Sequence, residues 1–188
     1  MPTMTSIPVS LPGFGAPAVG FEQPFEMLEA CHERVRRSLG LLRRIVAHID
    51  AQGHDAQSRA ASADVLRYFD VAGPQHHEDE ERHVFPALAE HPDDLVRAAV
   101  EQLKSDHLRM SAQWQRLRAA LITWRDADAP PPIDTDTRAL IDEYVVSYER
   151  HIPLEEAVAY PAARPLFSDA DIARIGAEMA ARRQSGGR

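Results

Sequence analysis

Between residues 94 and 125, apolar residues recur at alternating steps of four and three: Val96, Val100, Leu103, Met110, Trp114, Leu117, Leu121 and Trp124. His107 stands in the slot between Leu103 and Met110. That spacing gathers residues on one side of an α-helix and is the seam of a helix packed in a left-handed bundle. The stretch opens on His91-Pro92-Asp93-Asp94, where Pro and the acids suit a helix start. A second seam, Leu28, His32, Val35, Leu39, Leu42, Val46 and Ile49, predicts a helix from Phe25 to about Ala51. A third stretch, capped by Ser58 or Ser62, runs to about Ala89, striped by Leu66, Phe69, His76, Glu80 and Ala87. Gly73-Pro74 predicts a kink or short break within it.

The connector DADAPPPID leads to a fourth helix, about Thr135 to Tyr160, striped by Leu140, Tyr144, Tyr148, His151, Glu155 and Val158. Ser168-Asp169-Ala170-Asp171 has the form of a capping box for a short fifth helix ending near Arg183. Runs of alternating β-branched residues are few. The expected class is all-α: an irregular N-terminal arm over 1–24, a four-helix bundle over 25–167, and a short C-terminal helix and tail over 168–188.

Six polar residues occupy these apolar stripes. A lone core histidine usually finds a neighbouring partner, and a His and Glu four apart usually form a surface ion pair. Here all four helices contribute to one interior: His32, then His76 with Glu80, then His107, then His151 with Glu155. Left unpartnered, each buried polar group costs roughly 1–3 kcal/mol, and a bare charge far more. Cations would offset that cost. Imidazole nitrogen with carboxylate oxygen suits iron, manganese or zinc, and bundle interiors hold paired metals this way. These six are the expected metal ligands; no catalytic residue is identified.

The second helix offers His76 with Glu80 or His77 with Glu81. HHEDEERHVFP from His76 aligns without gaps on HIPLEEAVAYP from His151, pairing His76 with His151, Glu80 with Glu155, Glu81 with Glu156 and Phe85 with Tyr160. The pair His76 and Glu80 follows. Should each carboxylate bridge, one metal takes His32 and His76 and the other His107 and His151. His83 reads as a polar residue at the core edge, and His48, His54, His77 and His91 as solvated.

The net charge of −8 argues against a general nucleic-acid grip, which draws on clustered Lys and Arg. A single cysteine, Cys31, cannot form an intrachain disulfide and fits a reducing compartment. The first residues lack a basic region and an unbroken apolar run, so neither a signal peptide nor a membrane span is expected, and the location read is cytoplasmic.

The segments CHERVRR, HHEDEERHVFP, SDHLRM and RHIPLEEAVAYP, spanning about Phe25 to Leu166, resemble the hemerythrin family, particularly its bacterial hemerythrin-like cation-binding domains. The resemblance implies an up-down-up-down bundle around two oxo- or hydroxo-bridged irons that binds dioxygen or related small oxidants. The choice of iron over zinc or manganese comes from the resemblance. Oxygen-carrying members have a further histidine four residues beyond the position of His107, where this chain has Ser111. They also use an Asp five residues after the fourth-helix histidine, where this chain has Glu155 four after His151. Four histidines and open positions shift the expectation from reversible oxygen transport to sensing or handling oxygen, peroxide, nitric oxide or iron. An enzyme removing peroxide or nitric oxide is the alternative, although the chain shows no CxxC, flavin or nicotinamide motif to deliver electrons. Iron donation for iron–sulfur repair ranks below it. Asp106, Ser111, Tyr144 and Tyr148 lie near enough to the ligands in sequence to tune a pocket.

Overall fold

A computed structural model describes residues 19–130 and 132–185 of the chain. Among these residues every regular element is helical. We label them α1 (Pro24–Gln52), α2 (the helical stretch 56–88), α3 (Asp94–Asp126), α4 (the helical stretch 135–163) and α5 (Asp169–Ser185). α1 and α3 each pack against both α2 and α4, so the four long stretches share one interior. The arm expected over 1–24 and the end of the tail lie largely outside the described residues. No helix here is long and apolar enough to cross a membrane.

The ends follow capping chemistry. Asp93 accepts the Leu95 N–H at 2.8 Å, and Asp134 accepts that of Thr137 at 2.6 Å. Each satisfies one of the backbone donors a helix start leaves open. At α5, Ser168 Oγ accepts the Asp171 N–H while Asp171 accepts from Ser168, the reciprocal box read from the sequence. The cap of α2 corrects the expectation. It is Asp55, accepting from the N–H groups of Gln57 and Ser58, while Ser58 is the third helical residue that bonds back to the Asp55 N–H. Ser62 is buried and donates to the Ser58 carbonyl.

Gly73-Pro74 does not break α2. The chain widens into a π turn over Tyr68–Ala72, with the Gly73 N–H reaching the Tyr68 carbonyl, and α geometry resumes with Pro74 in its first turn. Proline has no N–H to lose there, so it is tolerated. Two further π turns, Glu80–Val84 and Glu155–Ala159, end alike: Phe85 bonds back to Glu80 ahead of Pro86, and Tyr160 to Glu155 ahead of Pro161. A π turn carries an extra residue and so rotates everything beyond it. Simple periodicity selects Ala87 and Val158 for the core; the buried residues are Leu88 and Ala159.

Every member of the α3 seam is buried. On α1, Leu28, His32, Val35, Leu39 and Leu42 are buried as expected, after which Ile45 is buried and Val46 and Ile49 are only partly so. The apolar interior forms two clusters. One gathers Leu39, Leu42, Phe69, Trp114, Leu121 and Tyr144; the other gathers Phe25, Phe85, Leu88, Leu103, Tyr160 and Met179. In sequence, the stretches His32, His76–Glu80, His107 and His151–Glu155 fall where each helix passes from one cluster to the other.

α5 closes on the second cluster through Ile175 and Met179. Its Gly176 lies against the backbone of Phe21, where a Cβ would collide with the carbonyl oxygen. Asp79 of α2, almost fully buried, accepts from both Arg182 and Arg183.

Candidate metal centre

The six expected ligands lie in one buried cluster, each no more than 4 % exposed. His32 and His76 bring their Nε2 atoms to 3.1 Å, and His107 and His151 bring theirs to 3.2 Å. The carboxylates lie between these pairs. Glu80 sets Oε1 3.5 Å from His76 Nε2 and Oε2 3.4 Å from His107 Nε2. Glu155 sets Oε2 3.1 Å from His32 Nε2 and Oε1 2.7 Å from His151 Nε2. Each carboxylate thus offers one oxygen to each histidine pair.

This arrangement leaves polar atoms unsatisfied. Glu80 Oε2, both Glu155 oxygens, and Nδ1 of His76 and of His151 are buried without a hydrogen-bond partner. Such atoms are rare in folded proteins and costly. The donor set fits divalent metal ions: four imidazoles and two carboxylates fall into two groups, His32, His76, Glu80 and Glu155, and Glu80, His107, His151 and Glu155. The two groups share the carboxylates.

The outer faces of two imidazoles are held in the same way. Glu156 Oε1 lies 2.8 Å from His32 Nδ1, and Glu81 Oε1 lies 2.8 Å from His107 Nδ1. A carboxylate accepts only, so Nδ1 carries the proton; in the neutral ring Nε2 then turns a bare lone pair inward. Arg36 in turn donates to both oxygens of Glu156. The helical repeat explains the division of labour in His-x3-Glu-Glu. The first Glu stacks one turn from its own His, and the second, about 100° round the helix, reaches the histidine of a neighbouring helix. The sequence alignment paired Glu81 with Glu156 without assigning this role.

Charge follows the geometry. Burial opposes protonation of His107, but Glu155, Glu80 and Glu81 outweigh it and its pKa is pushed up to about 11. Burial likewise opposes charge on His32, and Glu155 and Glu80 raise it nonetheless. Burial would raise Glu155, yet His151, His107 and His32 hold it well below the carboxylate range. Without a cation, protons on histidine compensate the buried carboxylates.

Two more residues went unrecognised in the sequence. Tyr160, aligned there with Phe85, donates its hydroxyl to Glu80 Oε1, lies 3.3 Å from His32 Nε2 and stacks on that ring. Phe85 packs on His107 with no hydroxyl. His77, read as solvated, instead stacks on His107 with ring centroids 3.9 Å apart, and burial holds its pKa well below the usual imidazole range. The other solvated assignments also change: His48 lies 3.0 Å from Asp55, His54 bonds Ser58, and His91 accepts the Asp93 N–H, all three partly buried near helix caps. His83 pairs with Glu178 of α5 at 2.6 Å.

A cavity of about 340 Å³ adjoins the cluster at His107. His77, Ser111, Trp114, Tyr144 and Tyr148 help line it. Asp106, the remaining pocket candidate, is buried, with Oδ2 3.5 Å from His151 Nδ1.

An uncharacterized protein of Haemophilus influenzae is 29 % identical over 164 residues, covering 87 % of this chain and 92 % of that protein. The profile of the hemerythrin HHE cation-binding domain matches residues 23–163, which include all six buried His and Glu residues of the cluster. The chain belongs to the hemerythrin HHE cation-binding family.

Proposed function

We propose that this chain holds two iron ions, through His32, His76, Glu80, His107, His151 and Glu155, and uses them to sense or handle a small oxidant such as dioxygen, peroxide or nitric oxide. The observation that carries this reading is the placement of Glu80 and Glu155, each with one oxygen toward each histidine pair. Carboxylates so placed suit two shared cations better than one. Imidazole and carboxylate donors also admit zinc or manganese, and iron is chosen on the family.

When bound, two ferrous ions supply electrons to a small oxidant. The chain's own residues prepare the place. Glu156 and Glu81 fix the tautomer and aim of His32 and His107. Apolar clusters above and below keep bulk water out. Tyr160 keeps a phenolic proton on Glu80. The cavity beside His107 gives a small neutral molecule a way in. The order in which each helix meets the two apolar clusters supports an up-down-up-down course. The lone, buried Cys31 supports a reducing, cytoplasmic setting.

The test is anaerobic loading with ferrous iron, then separate exposure to air, peroxide and nitric oxide, with near-ultraviolet and visible absorption followed throughout. The reading expects a new near-ultraviolet band with at least one oxidant. An unchanged spectrum with all three overturns it. Peroxide or nitric oxide consumption that continues with an added reductant makes the protein an enzyme instead.

A further inference from the structure

From the two histidines beside the cavity, an unbroken run of aromatic rings leads away from the centre. His77 stacks on His107, and the Tyr148 ring centroid lies 6.2 Å from that of His77 and 6.3 Å from that of His151. Tyr144 follows at 5.2 Å from Tyr148, and Trp114 at 6.1 Å from Tyr144. Phe69 packs on Tyr148, Tyr144 and Trp114 alike. These are the spacings of rings in contact. Trp114 stands two helical turns beyond His107 on α3, about 10.5 Å along the axis at 1.5 Å per residue.

The run ends at a proton acceptor. Trp114 donates its Nε1–H to Asp70 Oδ1 at 3.0 Å, and Arg118 donates to both oxygens of that carboxylate. Of Tyr148, Tyr144 and Trp114, only Trp114 donates to a carboxylate among the described residues. Trp114, Asp70 and Arg118 all line the cavity. Indole and phenol are the side-chain rings that surrender an electron most readily, and once oxidised each is a far stronger acid. Trp114 has a path for that proton; the buried phenols of Tyr144 and Tyr148 lack one. On the opposite side of the centre, Tyr160 leads outward only to Phe25 and then Phe167, rings that resist oxidation.

We propose that Trp114 supplies an electron to the centre when hydrogen peroxide meets a single ferrous ion there. Reduction of the peroxide to two waters takes two electrons. The ferrous ion gives one. The other crosses the rings from the Trp114 indole, whose Nε1–H proton passes to Asp70. In sum, hydrogen peroxide, one ferrous ion, the indole, the Asp70 carboxylate and two protons from water become two water molecules, one ferric ion, a neutral indolyl radical and a protonated Asp70. The oxidising equivalent is thereby carried from the buried ligands to the cavity wall. The proposal rests on the paired-metal reading above and gives a role to a residue outside the donor set.

Trp124 provides a comparison within the same chain. It is 4 % exposed against 6 % for Trp114, and it lines a cavity at the far end of α3. Among the described residues it makes no ring contact, and it lies about 25 Å along the helix from His107.

For the test, iron-loaded protein is oxidised in air, given one electron per chain by dithionite, mixed with an equal amount of hydrogen peroxide and frozen at once. Electron paramagnetic resonance reads any organic radical, and peptide mass spectrometry maps where oxygen is added. The proposal expects a radical in the wild type and oxygen added at Trp114 but not at Trp124. It expects loss of both signals in Trp114→Phe at unchanged iron content, and neither signal in zinc-loaded wild type. The proposal is overturned, and the paired-metal reading left intact, by a wild type without a radical, by a radical that persists in Trp114→Phe, by oxygen added equally at Trp124 or instead at Tyr160, or by the same signals with zinc. A wild-type protein that takes up no metal overturns both. If Trp114→Phe does not fold, the wild-type map decides, because Trp124 reports what diffusing oxidant does to a tryptophan off the path.

Discussion

Glu156 grips His32 from the side facing away from the cluster, with Oε1 2.8 Å from Nδ1. Glu81 does the same for His107. Both acids are partly exposed, so neither is itself a member of the buried donor set. Their work is orientation. Glu156→Ala and Glu81→Ala should each weaken metal binding by roughly 10–100-fold, the range for partners that aim a ligating imidazole. Competition titration against a chelator of known strength measures it. Affinity unchanged in both variants would show that the imidazoles need no such support.

Tyr160 and Phe85 occupy matched places in the two halves, and only Tyr160 brings a hydroxyl. Phe is therefore sterically acceptable at such a position. Tyr160→Phe should fold and retain metal, losing about 1–2 kcal/mol from the broken buried hydrogen bond. Because Glu80 also loses a donor, the absorption bands of the iron-loaded variant should shift. Chemical denaturation and the spectrum check the two parts separately.

Metal and protons compete for the same nitrogens. His107 and His32 have folded-state pKa values above the unfolded value of about 6.5. Their contribution to the metal-free fold is complete below that value and is lost as pH rises toward about 11, the value for His107. Metal binding requires deprotonated ligands and so strengthens over the same range. The difference in Tm between metal-loaded and chelator-treated protein should widen from pH 6 to pH 9. A constant or shrinking difference contradicts this account of the charges.

α5 is fastened beside the centre by Asp79, which holds Arg182 and Arg183 one residue ahead of Glu80. Asp79→Ala should cost about 2–3 kcal/mol, less than a fully buried pair because both arginines are partly exposed. Gly176→Ala should loosen the same helix by driving a methyl group into the Phe21 carbonyl. Amide hydrogen exchange confined to residues 169–185 should rise in both variants. Protection equal to wild type there would remove α5 docking from the account.

The α3 seam was legible because one uninterrupted α-helix carries it; from Val96 to Trp124 every expected residue is buried. The same reading missed by one residue at Ala87 and Val158, since π turns at Glu80–Val84 and Glu155–Ala159 each add a position. Phe85-Pro86 and Tyr160-Pro161, which end those turns, were visible in the sequence as a repeated motif without their geometric meaning. The buried cluster was readable because six polar residues in apolar stripes each need a partner, and a need shared by residues on four helices points to one common interior. The roles of Glu81, Glu156 and Tyr160 depend on contacts between helices, and periodicity along one helix does not carry them. His77 was misread for a related reason: off the seam of its own helix, it is covered by the His107 ring of another.

The central claim is that two carboxylates and four histidines, all inside one fold, together hold a pair of cations. Metal per folded chain, measured by elemental analysis on anaerobically purified protein, tests it most directly. The account predicts two metal ions per chain in the wild type and the loss of both in Glu155→Ala, since that carboxylate serves each half. Fully folded wild-type protein with no metal, or one ion that persists in Glu155→Ala, contradicts it.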